Sequence, residues 1–162
     1  VHFLVAGSAG RALRGCRVRP RDLDLEVDPA GAGVAGRALG VRLVRARGRG
    51  RDGLRGRARI AGAEVDVTAG LEVRGPAGTL RGDWAAQRAA STAVRVGGRV
   101  LALAPPEEHL TRALVLGEWA VIEKAARGCD GVPLDAGYIS SRLASLGAPP
   151  GGDPAREESA AR

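Results

Sequence analysis

The residues of this chain whose types and spacing could do chemistry are three carboxylates and one small turn. Asp22 and Asp24 stand two apart on the run Leu23-Asp24-Leu25-Glu26-Val27, and Asp66 lies within Glu64-Val65-Asp66-Val67-Thr68. Gly7-Ser8 closes the apolar run Val1-His2-Phe3-Leu4-Val5-Ala6, and thirteen residues separate Ser8 from Asp22. Strand alternation places Asp22 and Asp24 on one face, where two neighbouring anions repel unless a cation lies between them. Hard oxygen donors suit Mg²⁺, which takes one or two carboxylates together with substrate phosphates. Two such ions can activate an attacking hydroxyl and stabilise departing pyrophosphate. Asp66 then serves as a third ligand or as the base that receives the hydroxyl proton. The Gly7-Ser8 turn offers backbone N–H groups and a hydroxyl to phosphate oxygens. Together these features read as a site for moving a nucleotide.

A plainer reading makes the acids solvent-facing strand residues. Asp is depleted in strands, so three acids in alternation ask for a reason. Gly-Ser alone is a common turn and gains meaning only from the acids that follow it.

The elements that must position these residues follow from hydrophobic period. Residues 1–6 read as a buried strand, 7–10 as a turn and 11–15 as a short helical or irregular segment. Residues 22–28 alternate strictly, with Leu23, Leu25 and Val27 inward and the acids outward, which predicts a half-buried strand. A short helix is expected over 30–39. Val41 to Val44 begins another strand, 47–53 reads as a Gly/Arg/Asp turn, and 55–60 returns as a hairpin partner. Residues 63–68 form the strand of Asp66, and 70–92 read as irregular. Two short strands surround Gly97-Gly98. Pro105-Pro106-Glu107-Glu108 opens one or two helices reaching Ala126, because Pro and acids suit a first turn. A last helix is expected over 134–146. The fold class is α+β: a mixed sheet with flanking helices over 1–103, a small C-terminal helical segment over 104–148, and a disordered tail over 149–162.

Composition narrows the partners. An apolar share of 44% supports a core, and an aromatic share of 2% makes that core Val, Leu and Ala. No run approaches the roughly 18 apolar residues that span a bilayer. No signal peptide is visible, since Arg11 and Arg14 follow only a brief apolar run, and a cytoplasmic protein is expected. The chain starts at Val1, without Met and inside a strand, so either an alternative start codon or a missing N-terminal piece, such as a helix ahead of this strand, is expected. The net charge of +7 invites a nucleic-acid reading, but Lys124 is the sole lysine and Ala, Gly and Arg dominate throughout. That pattern matches codon bias, and the arginines lack aromatic partners for stacking bases, so nucleic acid is not the expected partner. Cys16 and Cys129 have no metal-type spacing and are expected to be unbridged. Arg11, Arg14 and Arg21 lie close in sequence to the turn and the acids, each read singly as a surface arginine. Lys124 is read as a helical salt bridge with Glu118 or Glu123. Tyr138 and Trp119 are read as packing residues, and His2 and His109 have no metal-ligand partner at useful spacing.

The stretch Val5-Ala6-Gly7-Ser8, followed by Asp22-Leu23-Asp24-Leu25-Glu26-Val27 and a later Asp66, resembles the signature of the DNA-polymerase-beta-like nucleotidyltransferase superfamily. Arg17-Val18-Arg19-Pro20-Arg21-Asp22-Leu23-Asp24-Leu25 is similar to the matching segment of small bacterial members, the aminoglycoside, lincosamide and minimal toxin–antitoxin types. The resemblance covers residues 1–70. It implies that Asp22, Asp24 and Asp66 bind two Mg²⁺ ions and that Gly7 and Ser8 hold the triphosphate. It implies attack of an acceptor hydroxyl, on a small molecule or a protein, at the alpha-phosphate of a nucleoside triphosphate, with ATP as the expected nucleotide. The alternative it leaves is a non-catalytic, antitoxin-like or regulatory domain of the same fold that binds a partner protein. The Gly-rich stretch 29–62, which follows the acidic strand, is where the acceptor is expected.

Overall fold

The computed structural model describes residues 2–129 and 131–147. The expected tail at 149–162 lies outside the described residues. The chain begins with β1 (Phe3–Val5) and α1 (Gly7–Leu13), then β2 (Leu23–Val27) and α2 (Ala32–Leu39). A meander follows, of β3 (Val44–Gly48), β4 (Arg51–Ile60), β5 (Ala63–Gly75) and β6 (Gly78–Leu80). Then come α3 (Trp84–Ala89), the hairpin β7 (Thr92–Val96) and β8 (Arg99–Leu103), and three helices, α4 (Pro106–Leu116), α5 (Trp119–Gly128) and α6 (Ala136–Ala144). The fold is α+β with one mixed sheet in the order β3-β4-β5-β2-β1-β8-β7, and β6 adds to β5. Among the described residues no helix is long and apolar enough to cross a membrane.

The sheet is mixed because β2 pairs antiparallel with β1 and parallel with β5. In that parallel ladder Leu23, Leu25 and Val27 lie beside Val65, Val67 and Ala69, and Asp24 lies beside Asp66. Side chains in register on neighbouring strands share a face. The apolar set therefore turns together toward α1 and α2, where it meets Ala9, Ala32, Ala35 and Val41 in the main core. Small alanines let both helices approach closely, which is how a core with few aromatics reaches close packing. The acidic set is left on the opposite face.

That opposite face is covered below the acids by the C-terminal helices, and the cover is held by buried charge. Arg112 of α4 makes two bonds to Glu26 of β2, at 2.7 and 2.9 Å. Glu108, 1% exposed, accepts from Arg112 at 3.2 Å, from Arg142 of α6 at 2.9 and 3.1 Å, and from the Tyr138 hydroxyl at 2.9 Å. Arg142 also donates to the Arg81 carbonyl at 2.7 Å. A smaller apolar cluster of Val73, Leu80 and Val115, with Leu143 and Leu146 against it, completes the layer.

Several local expectations change. The segment 7–13 is helical from Gly7 onward. The turn expected over 47–53 shrinks to Arg49-Gly50, both with positive φ, because Arg45 and Arg47 fold onto the buried Asp52 at 2.9–3.0 Å and extend the hairpin. The stretch 70–92 is not irregular: β5 runs on to Gly75, then β6 and α3 follow. Gly117 (φ +68) divides the first C-terminal helix from the second, a backbone conformation that glycine adopts without penalty. Cys16 and Cys129 form a disulfide 113 residues apart in sequence, tying the segment after α1 to the end of α5. Spacing along the chain carried no trace of that pairing because tertiary packing alone brings the two backbones together. Trp119 is 65% exposed, so it packs against little.

Candidate active site

The three acids expected from the sequence come together. Asp22 precedes β2, Asp24 lies on it and Asp66 lies on the adjoining β5, and one carboxylate oxygen from each lies within 4.8 Å of the others. All three side chains are half-buried. The arrangement is costly without a cation. Burial first, then the charges of Asp22, Asp66 and Glu26, push the Asp24 carboxyl up to about 6. Asp66 goes the other way. Arg57 of β4, directly opposite it in the β4–β5 ladder, donates to both its oxygens at 2.6 and 2.9 Å and holds its carboxyl below the usual range. These hard oxygen donors and the unfavourable charge at Asp24 suit a divalent metal.

Gly7 stands directly over this cluster. The Ala6 N–H donates to the Asp24 carbonyl at 2.9 Å, so the start of α1 is pinned beside β2. Gly7 has φ +57, and a Cβ added there would collide with the Asp24 carboxylate. Only glycine satisfies both constraints. We expect Gly7→Ala to displace Asp24 and to weaken divalent-cation binding at the three acids by about tenfold or more, with a stability loss of about 1–2 kcal/mol from the left-handed backbone. Calorimetric titration and thermal melting of the same sample check both.

Ser8 lines a cavity of about 1000 Å³ whose other walls include Arg11, Arg17, Arg19, Arg21 and Lys124. The Arg11 Nε and Nη1 atoms are buried and have no hydrogen-bond partner among the described residues. Arg11 thus packs the inner part of its guanidinium against the protein, beside Gly10, Glu26 and His109, as well as edging the cavity. Arg14 is different. It bonds the Leu103 carbonyl and Thr92 Oγ1 at 3.2 and 3.0 Å and serves to join α1 to the β7–β8 hairpin. The salt bridge expected for Lys124 is not formed among the described residues. Glu118 instead accepts from Arg51 at 2.6 and 2.8 Å. Tyr138 is tied to Glu108 as described above, a packing role with a polar end.

On the other side of the acids lies a smaller cleft of about 270 Å³, lined by Asp24, Asp66, Val44, Ala46, Arg55 and Arg57. The sequence led to Arg11 being read as a surface arginine, and Arg55 and Arg57 were passed over. The signal for the last two was present as Arg55-x-Arg57-x-Arg59, a period-two array on a strand. It was masked by arginines spread through the whole chain.

No family model matches the chain, and no curated protein matches it in sequence. Its structure superposes on the crystal structure of "a putative nucleotidyltransferase" from Thermotoga maritima with a TM-score of 0.63, over 78% of this chain and 81% of that one, at 23% identity. The chain has a nucleotidyltransferase fold. Within that fold Asp24 and Asp66 lie on two adjacent strands of the sheet with Asp22 just ahead of the first, and the Gly7-Ser8 segment begins the helix after β1.

Proposed function

We propose that this protein is a metal-dependent nucleotidyltransferase that moves a nucleoside monophosphate from a nucleoside triphosphate to a hydroxyl. The single observation that carries this reading is the convergence of Asp22, Asp24 and Asp66 beside Gly7. A protein that used the fold only to bind a partner would have no need of three crowded carboxylates, so the non-catalytic alternative is not favoured.

Asp22 and Asp24 would hold Mg²⁺, with Asp66 completing the set. When bound, the metal would neutralise phosphate charge and lower the cost of the alkoxide that develops on the acceptor oxygen. The chain's own groups do the rest. Gly7 and Ser8 open α1, so their backbone N–H groups have no helical acceptor and can meet phosphate oxygens. The Ser8 hydroxyl adds a donor. Arg11 and Lys124 face the same cavity and counter the charge of the triphosphate. The acceptor oxygen attacks the alpha-phosphorus, an O–P bond forms, and the bond to the beta-phosphate oxygen breaks with pyrophosphate leaving. The acceptor proton passes to Asp66. ATP is our choice of nucleotide and a cytoplasmic setting our choice of compartment, because nucleoside triphosphates are held there. The Cys16–Cys129 bridge pulls against that setting, since cytosolic thiols are ordinarily reduced.

Calorimetric titration of ATP, with and without Mg²⁺, tests the reading on the native chain and on Asp22→Asn/Asp24→Asn. Binding that requires Mg²⁺ and disappears in the double variant is the expected result. It should weaken as pH falls below about 6, where Asp24 takes up a proton that competes with the metal. Equal binding by both proteins, or none by the folded native chain, would sink the proposal.

A further inference from the structure

We infer that the acceptor of the transferred nucleotide is a small anionic alcohol, whose phosphate or carboxylate is held by Arg55 and Arg57 in the cleft beside Asp24 and Asp66. The inference rests on the nucleotidyltransferase reading and adds the acceptor's chemistry to it.

Sheet order separates donor and acceptor. Running across the sheet, β4 carries the arginines, β5 carries Asp66, β2 carries Asp24, and β1 leads into Gly7-Ser8. The acids therefore stand between two cavities. The larger holds Ser8, Arg11 and Lys124, and its size suits a triphosphate with its nucleoside. The smaller opens at Asp24 and Asp66, where the hydroxyl must arrive to reach the alpha-phosphate and pass its proton to Asp66. Its 270 Å³ is small even among ligand pockets, which run from about 300 Å³ upward, so a compact molecule is indicated.

The walls select its charge. In the β3–β4–β5 ladder Arg55 lies opposite Val44 on one side and Thr68 on the other, and Arg57 lies opposite Asp66. Arg55 makes no hydrogen bond or ion pair among the described residues, so its guanidinium donors are available. Arg57 spends Nε and Nη2 on Asp66 and keeps its Nη1 edge. A guanidinium has five N–H donors in a fork that matches carboxylate and phosphate oxygens. Two such forks two residues apart on one strand face the same way and can grip one anion between them. Val44, 48% exposed, and Ala46 supply an apolar wall for the carbon skeleton. Arg57 and Asp66 neutralise each other and Asp24 is assigned to the metal, which leaves Arg55 to repel a cationic acceptor such as an amino sugar.

The test keeps the donor cavity filled. Native protein and Arg55→Gln are saturated with Mg²⁺ and an ATP analogue whose alpha–beta bridge is a methylene. Inorganic phosphate is then titrated in while the arginine Nε–Hε resonances are followed by NMR. We expect those of Arg55 and Arg57 to shift saturably in the native protein, and phosphate affinity to fall about tenfold in Arg55→Gln, the usual loss for a charged hydrogen bond. Analogue affinity should be unchanged in the variant. Bound analogue with unmoved Arg55 and Arg57 resonances overturns the anionic acceptor and leaves the nucleotide reading standing. Failure of the analogue itself to bind overturns both. In turnover with ATP, a hexose 6-phosphate should outpace the uncharged hexose and the amino sugar. The reverse order also overturns the inference.

Discussion

Asp24→Asn should lower nucleotide transfer by roughly 10³-fold or more, as expected when a charge essential to transition-state stabilisation is removed, and should at the same time make the metal-free protein more stable. The two effects have one cause. Asp24 is crowded by Asp22, Asp66 and Glu26 and partly buried, so its carboxyl is raised to about 6 in the folded protein. In the unfolded chain it returns to about 3.9. A carboxyl with a raised folded value stabilises the fold below the unfolded value and loses that contribution as pH rises through the folded value. Above about pH 6 the native protein carries the full cost of an unwelcome anion. Asparagine removes it, for a gain of about 1 kcal/mol once solvent screening of a half-exposed group is allowed for. Thermal melts at pH 7.5 without metal should show the variant more stable. At pH 4.5 the two should nearly coincide. Adding Mg²⁺ should raise the midpoint of the native protein and leave the variant unmoved. Asp66 does not share this behaviour, because Arg57 lowers its carboxyl and its contribution is lost as pH falls. A variant that is both less stable and inactive at pH 7.5 would mean that Asp24 is structural.

The largest loss of stability should come from Glu108→Ala, far from the chemistry. Glu108 is the shared acceptor of Arg112, Arg142 and Tyr138. It is 1% exposed, Arg142 is 5% exposed, and Glu26 takes only one of the two arginines. Removing the carboxylate leaves Arg142 buried beside the Arg81 carbonyl as its remaining strong acceptor. Breaking a buried ion pair from one side costs about 3–5 kcal/mol, because the surviving charge keeps its desolvation cost. A small domain has only about 5–15 kcal/mol of stability in total, so the urea midpoint should fall steeply. Glu108→Gln, which keeps the shape and one acceptor, should lose less. Equal, small losses in both variants would show that the network contributes little.

Much of the site was legible in the sequence because its parts are local. The strict alternation of residues 22–27 and 63–68 fixes which side chains share a face. It also forces the acids outward once Leu25, Val27, Val65 and Val67 turn inward. The need for glycine at position 7 could be suspected from the turn, but its reason, the Asp24 carboxylate lying where a Cβ would be, is a contact between strands. Strand order was beyond the sequence. The two-residue turn Ala61-Gly62 does join β4 to β5 as a hairpin, but that signal was passed over, so the partnership of Arg57 with Asp66 and the freedom of Arg55 emerged only from the ladder register. Glu107 and Glu108 looked like ordinary first-turn acids of a helix. Glu108 is instead buried against Arg142, 34 residues onward, and through Arg112 is linked to Glu26, 86 residues back from it, while Glu107 accepts from the Asp135 N–H. The segment 70–92 looked irregular because its glycines and Pro76 break hydrophobic period, yet β5 continues through Gly70 under the pull of its neighbour β4. Periodicity determines faces, since it is a property of the backbone over a few residues. The pairing of those faces, the ion networks that lock them and the cavities left between them are decided by long-range packing, where the free energy depends on which surfaces meet.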